Sequence, residues 1–168
     1  SQWYGAGKNL STQYGSVTSS LKLMYRDCDL MDGWPEIGAA LDLMAEEANV
    51  TSAKGHVLNI TSNSSRIKSV LEDLFVNRLE IHTNSAMWTR TMAKYGNCFV
   101  MLNITSDNGV IGARQLPVYE VERHENGQFN PYATGDSDRC KNEIEFAWVG
   151  RGGIDKFKNW QIAHFRLL

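Results

Sequence analysis

Ser85-Ala-Met-Trp-Thr-Arg-Thr-Met-Ala-Lys-Tyr-Gly-Asn-Cys-Phe-Val-Met-Leu-Asn-Ile104 contains the point at which the chain changes its hydrophobic period. Met87, Trp88, Thr91, Met92 and Tyr95 recur at helical spacing and form one stripe, from a helix start at Asn84 or Ser85. Gly96 stands where a helix ends, because glycine takes up a left-handed backbone without a Cβ clash. Residues 98–104 are then a dense apolar run of strand length. Helix before Gly96 and strand after it set the expectation for everything around them.

Upstream, the pattern is helical. Residues 21–32 form a short helix that Gly33 breaks, and residues 34–48 form a second. Pro35 suits the first turn of that helix, where a missing N–H costs nothing, and Glu36 sits at the positive end of its dipole. Ile37, Ala40, Leu41, Met44, Ala45 and Ala48 make its stripe, with Asp42, Glu46 and Glu47 off it. Residues 56–60 alternate weakly, as a strand would. Residues 62–65 (Ser-Asn-Ser-Ser) cap a further helix with an apolar face of Ile67, Val70, Leu71, Leu74 and Phe75, extended to Leu79. The helical stripes and the inner faces of the strands are expected to build the core together.

Downstream, the pattern is strand and turn. Asp107-Asn-Gly109 joins residues 98–104 to 110–116, and residues 118–124 pair next. Asn126-Gly127 is another hairpin signal. Residues 143–149 alternate cleanly, Gly150-Arg-Gly-Gly153 is a break, and residues 161–168 are a last apolar strand. Helices followed by strands predict an α+β fold with a mostly antiparallel sheet, not an alternating parallel one. Residues 1–20, rich in Gly, Ser, Thr, Gln and Tyr, read as a flexible N-terminal arm that orders against a partner. Residues 21–168 read as one domain. The close on Phe165-Arg-Leu-Leu168 is expected to mark a piece of a longer chain.

Composition narrows the function classes. A formal net charge of −2 over 168 residues gives no general nucleic-acid signal, and 42% apolar residues suffice for a core. The apolar runs are too short for a membrane span. Cys28, Cys98 and Cys140 are isolated and odd in number, which fits a reducing compartment. Asn-x-Ser/Thr tripeptides at Asn9, Asn49, Asn59, Asn63 and Asn103 would suit a secreted glycoprotein, but a chain this rich in Asn, Ser and Thr produces them by chance.

No chemical motif is complete. Gly5-Ala-Gly7-Lys8 has the end of a phosphate loop without its first glycine, its Ser/Thr or its strand. Asp27, Asp29, Asp32 and Gly33 have calcium-loop residue types at displaced positions, and Gly38 stands where the closing glutamate belongs. His56, His82, His124 and His164 lack metal-ligand spacing. Cys98 would be a nucleophile only with a histidine beside it in space, and its strand setting makes it a buried thiol. The sequence therefore predicts no catalytic residue, metal or cofactor. A small α+β hydrolase or phosphate-binding enzyme with an unrecognised site is the alternative.

Several short segments, taken in order, are similar to the portal proteins of tailed double-stranded-DNA bacteriophages, especially T-even-like ones. Tyr25-Arg26, Pro35-Glu36-Ile37, Ala40-Leu41-Asp42 and Glu46-Glu47-Ala48 resemble an early family segment. Tyr95-Gly96-Asn97-Cys98-Phe99 resembles the family's Tyr-Gly-Asp-x-Phe, with Asn97 in place of Asp. Leu116-Pro117 followed by Val121-Glu122-Arg123 resembles the strand after that segment, and Ile162-Ala163-His164-Phe165-Arg166 resembles the Ile-x-His-Phe-Arg strand before the long stem helix. The resemblance implies a wing domain within a homo-oligomeric, usually dodecameric ring at the capsid vertex of the virion, assembled in the host cytoplasm. That ring forms the channel for DNA packaging and ejection. Its partners would be further copies of itself, the major capsid protein, head–tail connector proteins, and, through the full-length ring, terminase and DNA. In such a ring Arg90 and Lys94, four apart on one helix, with Arg123 and Arg151, are the candidate inter-subunit contacts.

Overall fold

A computed structural model describes residues 8–53, 55–125, 144–150 and 153–167, with side chains from Ser20 onward in the first helix. Among the described residues four α-helices precede six strands: α1 (Lys8–Asp32), α2 (Pro35–Ala48), α3 (Ser65–Glu72), α4 (Ile81–Tyr95), β1 (Asn97–Thr105), β2 (Gly109–Leu116), β3 (Val121–Glu125), β4 (Ile144–Gly150), β5 (Gly153–Lys158) and β6 (Ile162–Arg166). A π-helical stretch, Asp73–Arg78, continues α3. The fold is α+β. Its strands form two antiparallel three-stranded sheets, ordered β2-β1-β6 and β3-β4-β5.

Local chemistry accounts for most element ends. Trp34 enters α2 in an extended conformation and Pro35 occupies its first turn. Gly38 lets α2 close on the end of α1, since a Cβ there would lie 3.1 Å from the Asp32 carbonyl oxygen. Ser64 caps α3 by accepting the Ile67 N–H. Gly96 ends α4 at φ +71°, donating its N–H to the Met92 carbonyl at 2.8 Å.

Strand β1 is central and covered on both sides, because alternate side chains leave opposite faces. Cys98 and Val100 point toward α4 and pack with Trp88, Met92 and Ala163. Phe99 points the other way, in a cluster with Tyr25 of α1, Leu116 of β2, Val121 of β3, Phe146 of β4 and Ile162 of β6. This second cluster joins both sheets and α1 into a single core. Trp88 and Cys98 are core residues, as their positions predict.

The structure corrects several expectations. Helix α1 begins at Lys8 and not at residue 21, so part of the expected arm has helical backbone; residues 1–7 lie outside the described residues. Residues 56–60 form no strand, because no strand among the described residues lies beside them. The Val57 N–H instead donates to Nδ1 of His82. Helix α4 starts at Ile81, three residues before Asn84, after Glu80 takes φ +48° and its carbonyl accepts from Thr83 and Asn84. Residues 118–120 turn, closed by the Glu120 N–H on the Pro117 carbonyl. Strand β3 therefore starts at Val121 and pairs with β4, not with β2. Strand β5 was not anticipated. The Asn126-Gly127 signal lies outside the described residues.

The largest correction concerns the helical stripes. Of the α2 stripe only Ala45 is buried, and α3 has no buried residue. Ile67 and Val70, expected in the core, are exposed. The core is filled mainly from the strands, α4 and Tyr25, with Ala45 as the contribution of α2 and none from α3.

Candidate functional site

The densest polar constellation joins the end of α1 to α2, α4 and the turn before β3. Lys94 Nζ lies 2.7 Å from a carboxylate oxygen of Asp29 and 2.7 Å from one of Asp32. Arg90 donates to Asp32 at 2.8 Å and to Asp42 of α2 at 2.5 Å. The Tyr95 hydroxyl donates to Asp29 at 2.5 Å, and the Tyr119 hydroxyl donates to the other Asp29 oxygen. Tyr25, Tyr95 and Tyr119 meet edge to face around this point.

The arrangement has an electrostatic reason. Asp29 and Asp32 occupy the last turn of α1, where the helix dipole is negative and further acids are unfavourable. Lys94 and Arg90 neutralise both. Burial opposes ionisation of Asp29, but hydrogen bonds from Lys94, Tyr119 and Tyr95 outweigh it and hold its carboxyl at about 2. Hydrogen bonds from Arg90 and Lys94 hold Asp32 at about 2. Burial works against the charge on Lys94, and the two aspartates outweigh it and raise the ammonium above its ordinary value. The Tyr119 phenol is raised by burial and by its bond to Asp29. Asp29 and Asp32 are thus held ionised, and Lys94 protonated, across the neutral range. These contacts tie the end of α1 to α2 and α4, and the cluster is a clamp between helices.

A second feature is a cavity of about 300 Å³ between α1, the first sheet and β3. Phe99, Val118 and Val121 supply apolar wall, and Lys22, Arg123 and Arg166 bring positive charge. His164 stacks on Phe99 at 4.4 Å between ring centroids and its Nε2 lies 2.9 Å from Asn97 Oδ1. Asn97 in turn donates to the Tyr25 hydroxyl at 3.1 Å. Burial, then the charges of Arg123 and Arg166, push His164 down to about 4. It is therefore a neutral imidazole at pH 7.

The sequence-predicted contact residues separate into three groups. Arg90 and Lys94 form the expected basic ridge, but in this chain the ridge faces the aspartates of α1 and α2. Arg123 lines the cavity beside His164. Arg151 lies outside the described residues. Sequence reasoning named Asp29, Asp32, Asp42 and Tyr95 without joining them to this ridge, and missed Tyr119. A usable signal was there: acids three apart on one helix and bases four apart on another make ridges of opposite sign.

The weaker motifs resolve by position. Asp27, Asp29 and Asp32 lie on helix α1, not in an ion-binding loop. Gly150 and Gly153 pair across the β4–β5 hairpin. Cys98 is fully buried, and desolvation pushes its thiol up to about 11, far from a reactive thiolate. His56 and His82 lie 4.9 Å apart, but no cluster of three metal-binding side chains occurs among the described residues. Asn49, one of the tripeptide asparagines, ends α2 with its amide on the Ala45 carbonyl and the Thr89 hydroxyl. No described helix is long and apolar enough to cross a membrane. No protein-family model matches the chain, and no curated protein does.

Proposed function

We propose that this chain is the wing-like part of a subunit of a phage portal ring. The ring would stand at the capsid vertex, form the channel for DNA packaging and ejection, and carry the head–tail attachment site. The ordered likeness of short segments from Tyr25 to Arg166 suggests the family. The observation that carries the reading is the apolar surface of the helical layer. Leu30 and Trp34 are each 66% exposed, and Leu23, Met24, Met31, Leu43 and Met44 are exposed beside them. Isolated exposed apolar residues are ordinary, but a run of this kind along two adjacent helices marks a surface that other protein covers.

In this reading the inter-helix clamp keeps the helical layer rigid, and the two sheets provide its base. Copies of the chain are the first partners. Capsid and connector proteins, and terminase and DNA through the complete ring, follow from the family likeness. Negative-stain electron microscopy of the complete gene product tests the proposal. Closed rings are expected. A protein that stays monomeric at high concentration and turns over a small substrate would overturn it.

A further inference from the structure

Helix α3 is well formed yet poorly housed. Ser64 caps it, but none of its residues is buried, and its main contact is the π-helical stretch that continues it. Ile67 and Val70, one turn apart, are 55% and 61% exposed. Arg66, one turn before Val70, forms no ion pair among the described residues, whereas Lys68 is tied to Glu72 of its own helix. The free face of α3 is an apolar pair edged by a cation. An amphipathic helix normally buries its stripe, and among the described residues Ile67 and Val70 stay exposed.

Helix α2 presents the complement. Glu36, Ala40, Leu43, Met44 and Glu47 share one face by helical spacing, and all five are exposed. Leu43 and Met44 form its apolar centre, each 55% exposed. Neither Glu36 nor Glu47 forms an ion pair among the described residues. Glu36 and Glu47 stand about 16 Å apart along the axis, and the eight-residue α3, about 12 Å long, fits between them.

We propose that α2 of one copy of this chain docks on α3 of the next copy. Ile67 and Val70 lie against Leu43 and Met44, and Arg66 meets an acid at one end of the α2 face. The occupant is a second copy because one chain carries both halves of the match. Pairing α2 with α2 would set Glu36 and Glu47 against like charge. Since the two patches differ, the contact is heterologous: each added copy leaves one α2 and one α3 open, and the series ends only when a ring closes. The inference rests on the ring reading above and assigns the faces that make it.

Charge reversal tests it on the complete gene product, with sedimentation velocity and negative-stain imaging as readouts and circular dichroism to confirm folding. Arg66→Glu should weaken association by about tenfold or more, since it places like charge at a matched contact. Glu36→Lys with Glu47→Lys should do the same from the other side. Combining all three should restore assembly. Assembly by Arg66→Glu equal to the unaltered protein, or a loss that the triple variant does not restore, overturns the α2–α3 pairing and leaves the ring reading in place. An unaltered protein that never associates overturns both.

Discussion

Replacing Lys94 with methionine keeps the length of the side chain and removes its ammonium from between Asp29 and Asp32. The Lys94 side chain is 13% exposed, so water substitutes poorly for the lost partner. Both carboxyls sit at about 2 against an ordinary 3.8. A displacement of roughly 1.8 is equivalent to at most about 2.4 kcal/mol per carboxyl. That ceiling is shared with Arg90 and the tyrosine hydroxyls, and solvent screens it further because Asp29 is 39% exposed. We expect Lys94→Met to cost about 1.5–3 kcal/mol at pH 7, the range between a screened surface pair and a broken buried one. The sign with pH follows from linkage. Carboxyls held low in the folded state bind fewer protons than in the unfolded chain, so their stabilisation is complete above about 4 and is lost as pH falls through about 2. The gap between parent and variant should therefore be widest at neutral pH and narrow in acid. Urea denaturation followed by far-ultraviolet circular dichroism at several pH values measures both. A loss below about 0.5 kcal/mol at pH 7, the level of an ordinary exposed substitution, would refute the clamp, as would a gap that stays constant into acid.

Phe99→Ala removes the ring that touches Phe146 and His164 where the two sheets meet, and should cost about 3–5 kcal/mol in the same denaturation assay. Cys98 should resist alkylation in the folded protein at mildly alkaline pH and react only on unfolding, while the partly exposed Cys28 reacts in the folded state; mass-spectrometric labelling separates the two. His164 is held at about 4 against an ordinary 6.5, so it favours the folded state above about 6.5 and that contribution is lost as pH falls toward 4. His164→Phe should flatten the dependence of stability on pH across that window, and an imidazole that titrates near 6.5 by nuclear magnetic resonance would contradict the cavity's electrostatics.

What could be read from the chain alone was set by local rules. The stripe from Met87 to Tyr95, the left-handed glycine at 96 and the strand after it are consequences of backbone sterics and side-chain period. So are the Ser64 cap, the turn ending at Gly109, and the order of helices before strands that makes the fold α+β. Such features depend on residues a few positions apart. Tertiary structure decided whatever depends on a distant partner. Residues 56–60 alternate like a strand, yet no strand among the described residues lies beside them. Val121 begins a second sheet because its partner Trp148 arrives from β4, far along the chain. The stripes of α2 and α3 have the spacing of core faces, but spacing does not say whether anything packs against them. Arg90 and Lys94 read as a surface ridge until α1 places Asp29 and Asp32 against it. Period reports which residues share a face; only the folded chain settles what that face meets, because burial and ion pairing are properties of two surfaces and not of one.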